Sequence, residues 1–231
     1  MDGILVRSSE QRELRHTSAL GWICALAGIS GVANGGSLTA TVTDDSGAPV
    51  SDAAVYATPA SNVGHASADR RKAVMDQSEQ RFIPHVLIVE TGTAIDFPNH
   101  DTVRHHVYSF SDAMTFELSL YAGYEHAPIV FANPGIVDVG CNIHDGMEAH
   151  IVVVDTPYFA VTDDDGRAVI DALPPGQYSI NVYTPRLAPK SQPAARDVSV
   201  STAAAELNVQ IEGRLRPRHV QTHQSLEWSS Y

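Results

Sequence analysis

The strongest constraint on this chain is a succession of short β-type runs divided by turn residues. From Arg81 to Asp155 they read HVLIVE (85–90), AIDF (94–97), HHVYSF (105–110), FELSLY (116–121), IVF (129–131), IVDVG (136–140) and HIVVVD (150–155). Turn signals at Gly92, Pro98-Asn99, Asn133-Pro134-Gly135 and Asp145-Gly146 separate them. Runs rich in β-branched and aromatic residues, bounded by Gly, Pro, Asn and Asp, predict strands. Many short strands with frequent turns, and no convincing amphipathic helix, predict an all-β sandwich or barrel.

The flanks carry a second pattern. Ser37 to Ala57 alternates apolar and polar residues around Asp44-Asp45-Ser46-Gly47, which predicts two strands joined by a tight connection. Residues 59–81 are polar, contain Pro59, Asn62 and Gly64, and read as a linker or mobile loop with Arg70-Arg71-Lys72 on its surface. From Tyr158 the chain shows a turn at Asp163 to Gly166, a strand, a Pro174-Pro175-Gly176 turn and another alternating strand. A further strand is expected at 197–200 or 206–211. The Asp-rich run at 163–166 lacks the downstream acidic ligands of a calcium loop, so it reads as a turn. Residues 213–231 are polar, with Arg214, Arg216 and Arg218, and read as a flexible tail.

Residues 1–33 have the order of an export signal. Arg7, Arg12 and Arg15 precede the uncharged apolar stretch Ala19 to Val32, and Gly31 and Ala33 sit as at a cleavage site. The stretch is short for a membrane span, which needs about 20 apolar residues. The expectation is a signal peptide and a periplasmic chain with no span in its mature part. Cleavage removes Asp2, Glu10 and Glu13 together with the three arginines, so the acidic count falls from 27 to 24 and the basic count from 15 to 12. The net charge of −12 is unchanged. Such a surface disfavours nucleic acid and suits a basic protein partner. Cleavage also removes Cys24 and leaves Cys141 as a single thiol. A lone thiol in an oxidising compartment needs a reason, and a metal bond is one.

Residues 141–147 supply the context, reading CNIHDGM. Cys141, His144 and Met147 are spaced C-x-x-H-x-x-M on one short loop between two strands, so all three can turn toward one point. A thiolate, imidazoles and a thioether form a soft donor set, and soft sulfur ligands select copper, zinc or iron clusters. A thioether is a poor zinc ligand. One thiolate with two imidazoles and a weak axial Met describes a blue copper site, which needs one more His. His105 is the leading candidate, in FPNHDTVRHHVYSF (97–110). His106 points to the opposite face of an extended chain, and His100 lies in a turn with Asn99 and Asp101. Either of these stays open as a replacement for His105 or as part of a second metal site. His65, His85, His126 and His150 read as structural or surface groups.

The distant first His and the terminal C-x-x-H-x-x-M loop resemble cupredoxins, with a loop spacing similar to that of amicyanin. FPNHDxVxHHVYSFS, FELSLY, Asn133-Pro134-Gly135 and CNIH resemble bacterial plastocyanin-like proteins labelled as methylamine-utilisation proteins, over about residues 84–160. The resemblance implies a cupredoxin-like Greek-key β-sandwich over residues 81–155, one copper ion per chain, and His105, Cys141, His144 and Met147 as its ligands. It departs from the family where His106 replaces the usual Asn and Ile143 the frequent Pro. Asp145 adds a negative charge beside His144, which favours the oxidised ion and a lower potential. Residues 37–57 and 158–184, with their T-D-x-x-G and P-x-G-x-Y segments, resemble the two halves of a carboxypeptidase-regulatory-like, or prealbumin-like, β-sandwich. The domain expectation is therefore a prealbumin-like module of residues 36–60 and 156–212 into which the cupredoxin domain is inserted, or which flanks it.

The function expected is single-electron transfer with a redox protein partner such as a c-type cytochrome or a dehydrogenase. No Ser-His-Asp order, phosphate loop or paired carboxylate spacing argues for an enzyme. Two other readings remain: a copper-binding or delivery protein without redox work, and a cell-envelope binding module in which copper is structural.

Overall fold

The computed structural model describes residues 35–61, 71–188, 191–193 and 195–217. The expected export signal, residues 62–70 of the expected linker with His65, and residues 218–231 of the tail lie outside these. Among the described residues there is no α-helix, and no helix is long and apolar enough to cross a membrane. The fold is all-β.

Seventeen strands build it among the described residues. Seven of them match the runs between Arg81 and Asp155: β6 (Val86–Glu90), β7 (Thr93–Asp96), β8 (His105–Ser111), β9 (Met114–Tyr121), β10 (Ile129–Phe131), β11 (Gly135–Cys141) and β12 (Glu148–Val154). The largest sheet has the order β6-β12-β11-β8-β9, with β6 parallel to β12 and the other pairs antiparallel. A smaller sheet, β10-β7-β3, includes β3 (Lys72–Val74). A two-stranded ribbon pairs β4 (Asp76–Ser78) with β5 (Arg81–Ile83). Val107, Val137, Val139, Ala149 and Ile151 of the large sheet pack with Met75, Phe82, Ile95 and Phe131 in one buried core.

Strands β3 and β4 correct the expectation of a linker through residue 81. Their sequence is too polar to announce strands, yet Met75 and Gln77 are fully buried. The Gln77 amide nitrogen donates to Phe97 O at 3.2 Å and Pro98 O at 3.1 Å, and also to the Tyr121 hydroxyl. Hydrogen bonding by the amide nitrogen thus offsets part of the burial of a polar side chain that periodicity assigns to solvent, while Oε1 is buried without a hydrogen-bond partner. Arg71 of the basic run pairs with Glu90 at 2.8 Å.

Strands from both ends of the chain make a second core. β1 (Gly36–Thr43) lies between β14 (Arg167–Leu173) and β17 (Ala205–Gln210). β13 (Phe159–Val161), β2 (Ala54–Pro59), β15 (Gly176–Tyr183) and β16 (Arg196–Val200) form the facing sheet. Alternation in β1 is strict, with Leu38, Ala40 and Val42 fully buried. The expected pair β1–β2 is not a hairpin: the turn forms, but β2 crosses to the other sheet. Asp44 Oδ1 accepts from the backbone N–H of Ser46 and Ala48 at 3.0 and 2.9 Å, and Val50 N–H returns to Val42 O. The core then pulls Ala53, Val55 and Ala57 under the opposite layer. Both alternatives for a late strand are realised, as β16 and β17. The first residues of the expected tail are tied down, because Arg216 N–H donates to Arg186 O at 2.9 Å.

A third cluster joins the two cores. Val86, Ile88, Val152 and Val154 leave the large sheet on its outer face and meet Ala54 and Tyr183. This explains why β12 loses alternation after Ile151: both of its faces are covered, so consecutive valines are buried.

Candidate metal centre

β8 and β11 place the first two groups. His105 opens β8, and Cys141 closes β11 opposite Val107. Alternation sends His105 inward and His106 outward, as expected for adjacent residues of a strand. His105 is fully buried and Cys141 nearly so. His106 instead reaches Glu117 on β9, with Nε2 2.8 Å from Oε1. His100 pairs with Asp76 at 2.8 Å and Tyr124 at 3.2 Å on the surface. The group that converges on Cys141 contains His105 and His144, and neither His106 nor His100.

The loop 141–147 is closed by its own backbone. Cys141 N–H donates to Met147 O at 3.0 Å, Met147 N–H to His144 O at 3.3 Å, and Asn142 N–H to His106 O at 3.0 Å. Gly146 supplies a positive φ of 75°, a region that side-chain-bearing residues rarely adopt. His144 thereby folds back over Cys141. Cys141 Sγ lies 3.7 Å from His105 Nδ1 and 3.6 Å from His144 Nδ1, and the two nitrogens are 3.1 Å apart. Met147 is buried in the same core. Ile143 is 51% exposed beside His144, which is itself the least buried of the three converging groups.

The electrostatics favour an anionic sulfur. Burial pushes the Cys141 thiol up, but His105, the backbone N–H groups of Ile143 and His106, and His144 outweigh it and bring its pKa down from 9.0 to about 6. Such a thiol is readily a thiolate, the form that binds metals. Burial likewise opposes the charged form of His105, yet Cys141 and Asp101 raise its pKa above the ordinary value. Asp101 Oδ2 sits 3.0 Å from His105 Nε2 and also accepts Gln80 N–H at 2.6 Å. A carboxylate behind a ring nitrogen fixes the ring and leaves Nδ1 to face an ion.

Sequence reasoning did not single out Asp101 in this role. It noticed Asp101 only as part of the His100 turn. The loop that aims it is held by Asn99, whose amide nitrogen donates to Val103 O and Tyr121 O, both at 2.9 Å. The signal available was the FPNHD segment itself, polar yet placed between two strands.

The donor set fits a metal. Ligand atoms about 2.0–2.3 Å from a shared ion must stand roughly 3–4 Å from one another. The three contacts among His105, Cys141 and His144 fall in that range, and the three side chains form a group able to hold an ion. Cys141 is a free thiol.

No protein-family model and no curated protein matches the chain. Among solved structures, a purple cupredoxin from Nitrosopumilus maritimus is 17% identical, with a TM-score of 0.32, over 36% of this chain and 99% of that one. An amicyanin variant in its reduced Cu(I) form is 20% identical, with a TM-score of 0.34, over 43% of this chain and 99% of that one. A copper-containing nitrite reductase from Thermus scotoductus is 24% identical, with a TM-score of 0.34, over 43% of this chain and 26% of that one. Likenesses this partial carry no argument about what the chain does, which rests on its own residues.

Proposed function

We propose that the chain is an exported, periplasmic type 1 copper protein that carries single electrons between redox partners, with one copper ion held by His105, Cys141, His144 and Met147. The observation that carries this reading is the triangle of one low-pKa thiol and two imidazole nitrogens, 3.1 to 3.7 Å on a side and buried at a strand end. Copper bound there would supply one-electron chemistry by alternating between its cuprous and cupric states. Strands β8 and β11 hold His105 and Cys141 in one geometry, so little rearrangement accompanies each electron. Met147, buried in the same core as Cys141, would be the weak fourth ligand, and burial around the Cys141 sulfur would help to tune the potential. His144 and the exposed Ile143 would form the face offered to a redox partner. That face suits a weak, transient contact with a c-type cytochrome or a dehydrogenase. The acidic charge of −12 favours a basic partner.

In the same reading, residues 81–155 are a cupredoxin domain inserted into a prealbumin-like sandwich of residues 36–60 and 156–212. Support comes from the core shared by the two flanks, which joins Leu38 to Ile170, Ile180 and Val209.

Cupric ion added to purified protein should give an intense blue colour that ascorbate bleaches reversibly. Cys141→Ser should abolish it, and His105→Ala should abolish or strongly shift it, whereas His106→Ala should leave it. A colourless protein that retains cuprous ion would point to copper delivery instead and would end the electron-carrier reading.

A further inference from the structure

Sequence reading treats His85 and His150 as structural or surface groups. The structure gathers them with Glu148, with one ligand atom from each within 4.8 Å of the others. The backbone sets this up. His150 pairs with Val86 in the parallel β12–β6 ladder, and its N–H donates to His85 O at 2.9 Å. The two rings meet edge to face with centroids 5.4 Å apart.

This group stands on the opposite face of the hairpin that carries Cys141. Along β11 and β12, Val139, Cys141, Met147 and Ala149 are buried in the core. Asp138, Glu148 and His150 alternate with them and face the other way. Asp138 and His150 are direct partners in the ladder. Cys141 lies three residues beyond Asp138, about 10 Å along the strand. The group also borders the seam between the two cores, where Tyr183 of β15 arrives.

The surroundings are those of ligating histidines. Asp138 Oδ1 lies 2.7 Å from His150 Nδ1, with the Tyr183 hydroxyl at 3.3 Å. Asp52 Oδ2 lies 3.9 Å from His85 Nδ1. The carboxylate on His150 Nδ1 fixes that ring's tautomer and presents its Nε2 lone pair to an ion, while Asp52 adds negative charge near His85. Three carboxylates (Asp52, Asp138 and Glu148) face two imidazoles, which favours a cation. A cleft of about 860 Å³, lined by His85, Asp138, Glu148, His150, Arg186 and Arg216 among others, gives access from solvent.

We propose that His85, Glu148 and His150 form a second metal site, for a divalent transition ion of borderline softness such as Zn2+ or Cu2+. Two imidazoles with one carboxylate is a donor set that takes zinc and leaves a coordination position open. The set contains no thiolate, so an ion here is not a blue copper. All three ligands come from the large sheet and the residue preceding it, while Tyr183 and Asp52 support them from the other layer. Occupancy therefore stiffens the seam. The proposal stands independently of the copper assignment at Cys141.

Zinc retained per chain after equilibration with Zn2+ alone and removal of loosely held ion tests it. Wild type should hold two ions, and Glu148→Gln, His150→Gln and Cys141→Ser one each. Asp138→Asn should weaken the second ion roughly 10- to 100-fold. Glu148 is exposed, so its variant keeps the test sound if His150→Gln folds poorly. Cys141→Ser loaded with Cu2+ should show an ordinary axial paramagnetic spectrum with imidazole nitrogen splitting, and competition between Zn2+ and Cu2+ ranks the two ions. Cys141→Ser holding no ion, or Glu148→Gln and His150→Gln holding as many as wild type, overturns the proposal. A single ion that His150→Gln removes and Cys141→Ser keeps would sustain the seam site and defeat the thiolate site instead.

Discussion

His105 is constrained at both ring nitrogens, with Asp101 on Nε2 and Cys141 and His144 around Nδ1. Asp101→Asn keeps the shape of that contact and removes the charge. Its expected result is a roughly 10- to 100-fold loss of affinity at the Cys141 centre, read by metal competition, with stability little changed. That only one of His105 and His106 faces inward was legible from strand alternation, because neighbours on a strand point to opposite faces. Asp101 was not legible, because its position depends on how Asn99 folds the loop rather than on any periodicity. A second residue-scale expectation concerns Tyr121, whose hydroxyl donates to Phe97 O at 2.6 Å. Burial is the main cause that raises its pKa from 10.0 to about 12. The folded state thus disfavours the phenolate. Its contribution to stability is complete below the unfolded value near 10.0 and is lost as pH rises through about 12. The loss is roughly 3 kcal/mol over that window. Denaturant titrations between pH 9 and 12 should show this alkaline slope in wild type and a flatter one in Tyr121→Phe.

At the scale of elements, turns set the sheet pattern. Gly166 ends the 163–166 turn with φ of 73°, and its carbonyl accepts Val42 N–H at 2.8 Å. A Cβ there would stand 2.4 Å from Val42 O, a contact that cannot be relieved without moving the backbone. Gly166→Ala should therefore destabilise the β1–β14 sheet by about 2 kcal/mol or more, measured by chemical denaturation, without altering the Cys141 centre. The same chemistry explains what the sequence revealed. β6 to β12 were readable because Gly, Pro and Asn turns bracket runs of β-branched residues. β3 and β4 were unreadable because their inward positions include Gln77, whose burial depends on acceptors Phe97 O and Pro98 O, 20 and 21 residues away in the chain. The pairing of β1 was not legible for a related reason. Its turn is local, but its sheet partners β14 and β17 come from the far end of the chain, and local turn chemistry does not specify distant partners.

At the scale of the molecule, the seam of Ala54, Val86, Ile88, Val152, Val154 and Tyr183 decides whether the two cores melt together. Val152 is 1% exposed and packs there from the central region of β12, the strand whose opposite face supports the Cys141 core. A charge at this position would be buried without a partner, which costs several kcal/mol unless the surfaces part. Parting is available to this fold, since each core has its own pair of layers. Wild type should then unfold in one transition by both secondary-structure and aromatic signals, and Val152→Asp should separate it into two. Metal provides the assignment of those two steps. A ligand at one hundred times its dissociation constant stabilises the state that binds it by about 2.7 kcal/mol. With the seam site removed by Glu148→Gln, cupric ion should move the single transition as a whole, but in the added Val152→Asp background only the step belonging to the Cys141 core. If Val152→Asp still melts in one step that copper shifts entirely, the cores are coupled through the chain crossings and not through the seam.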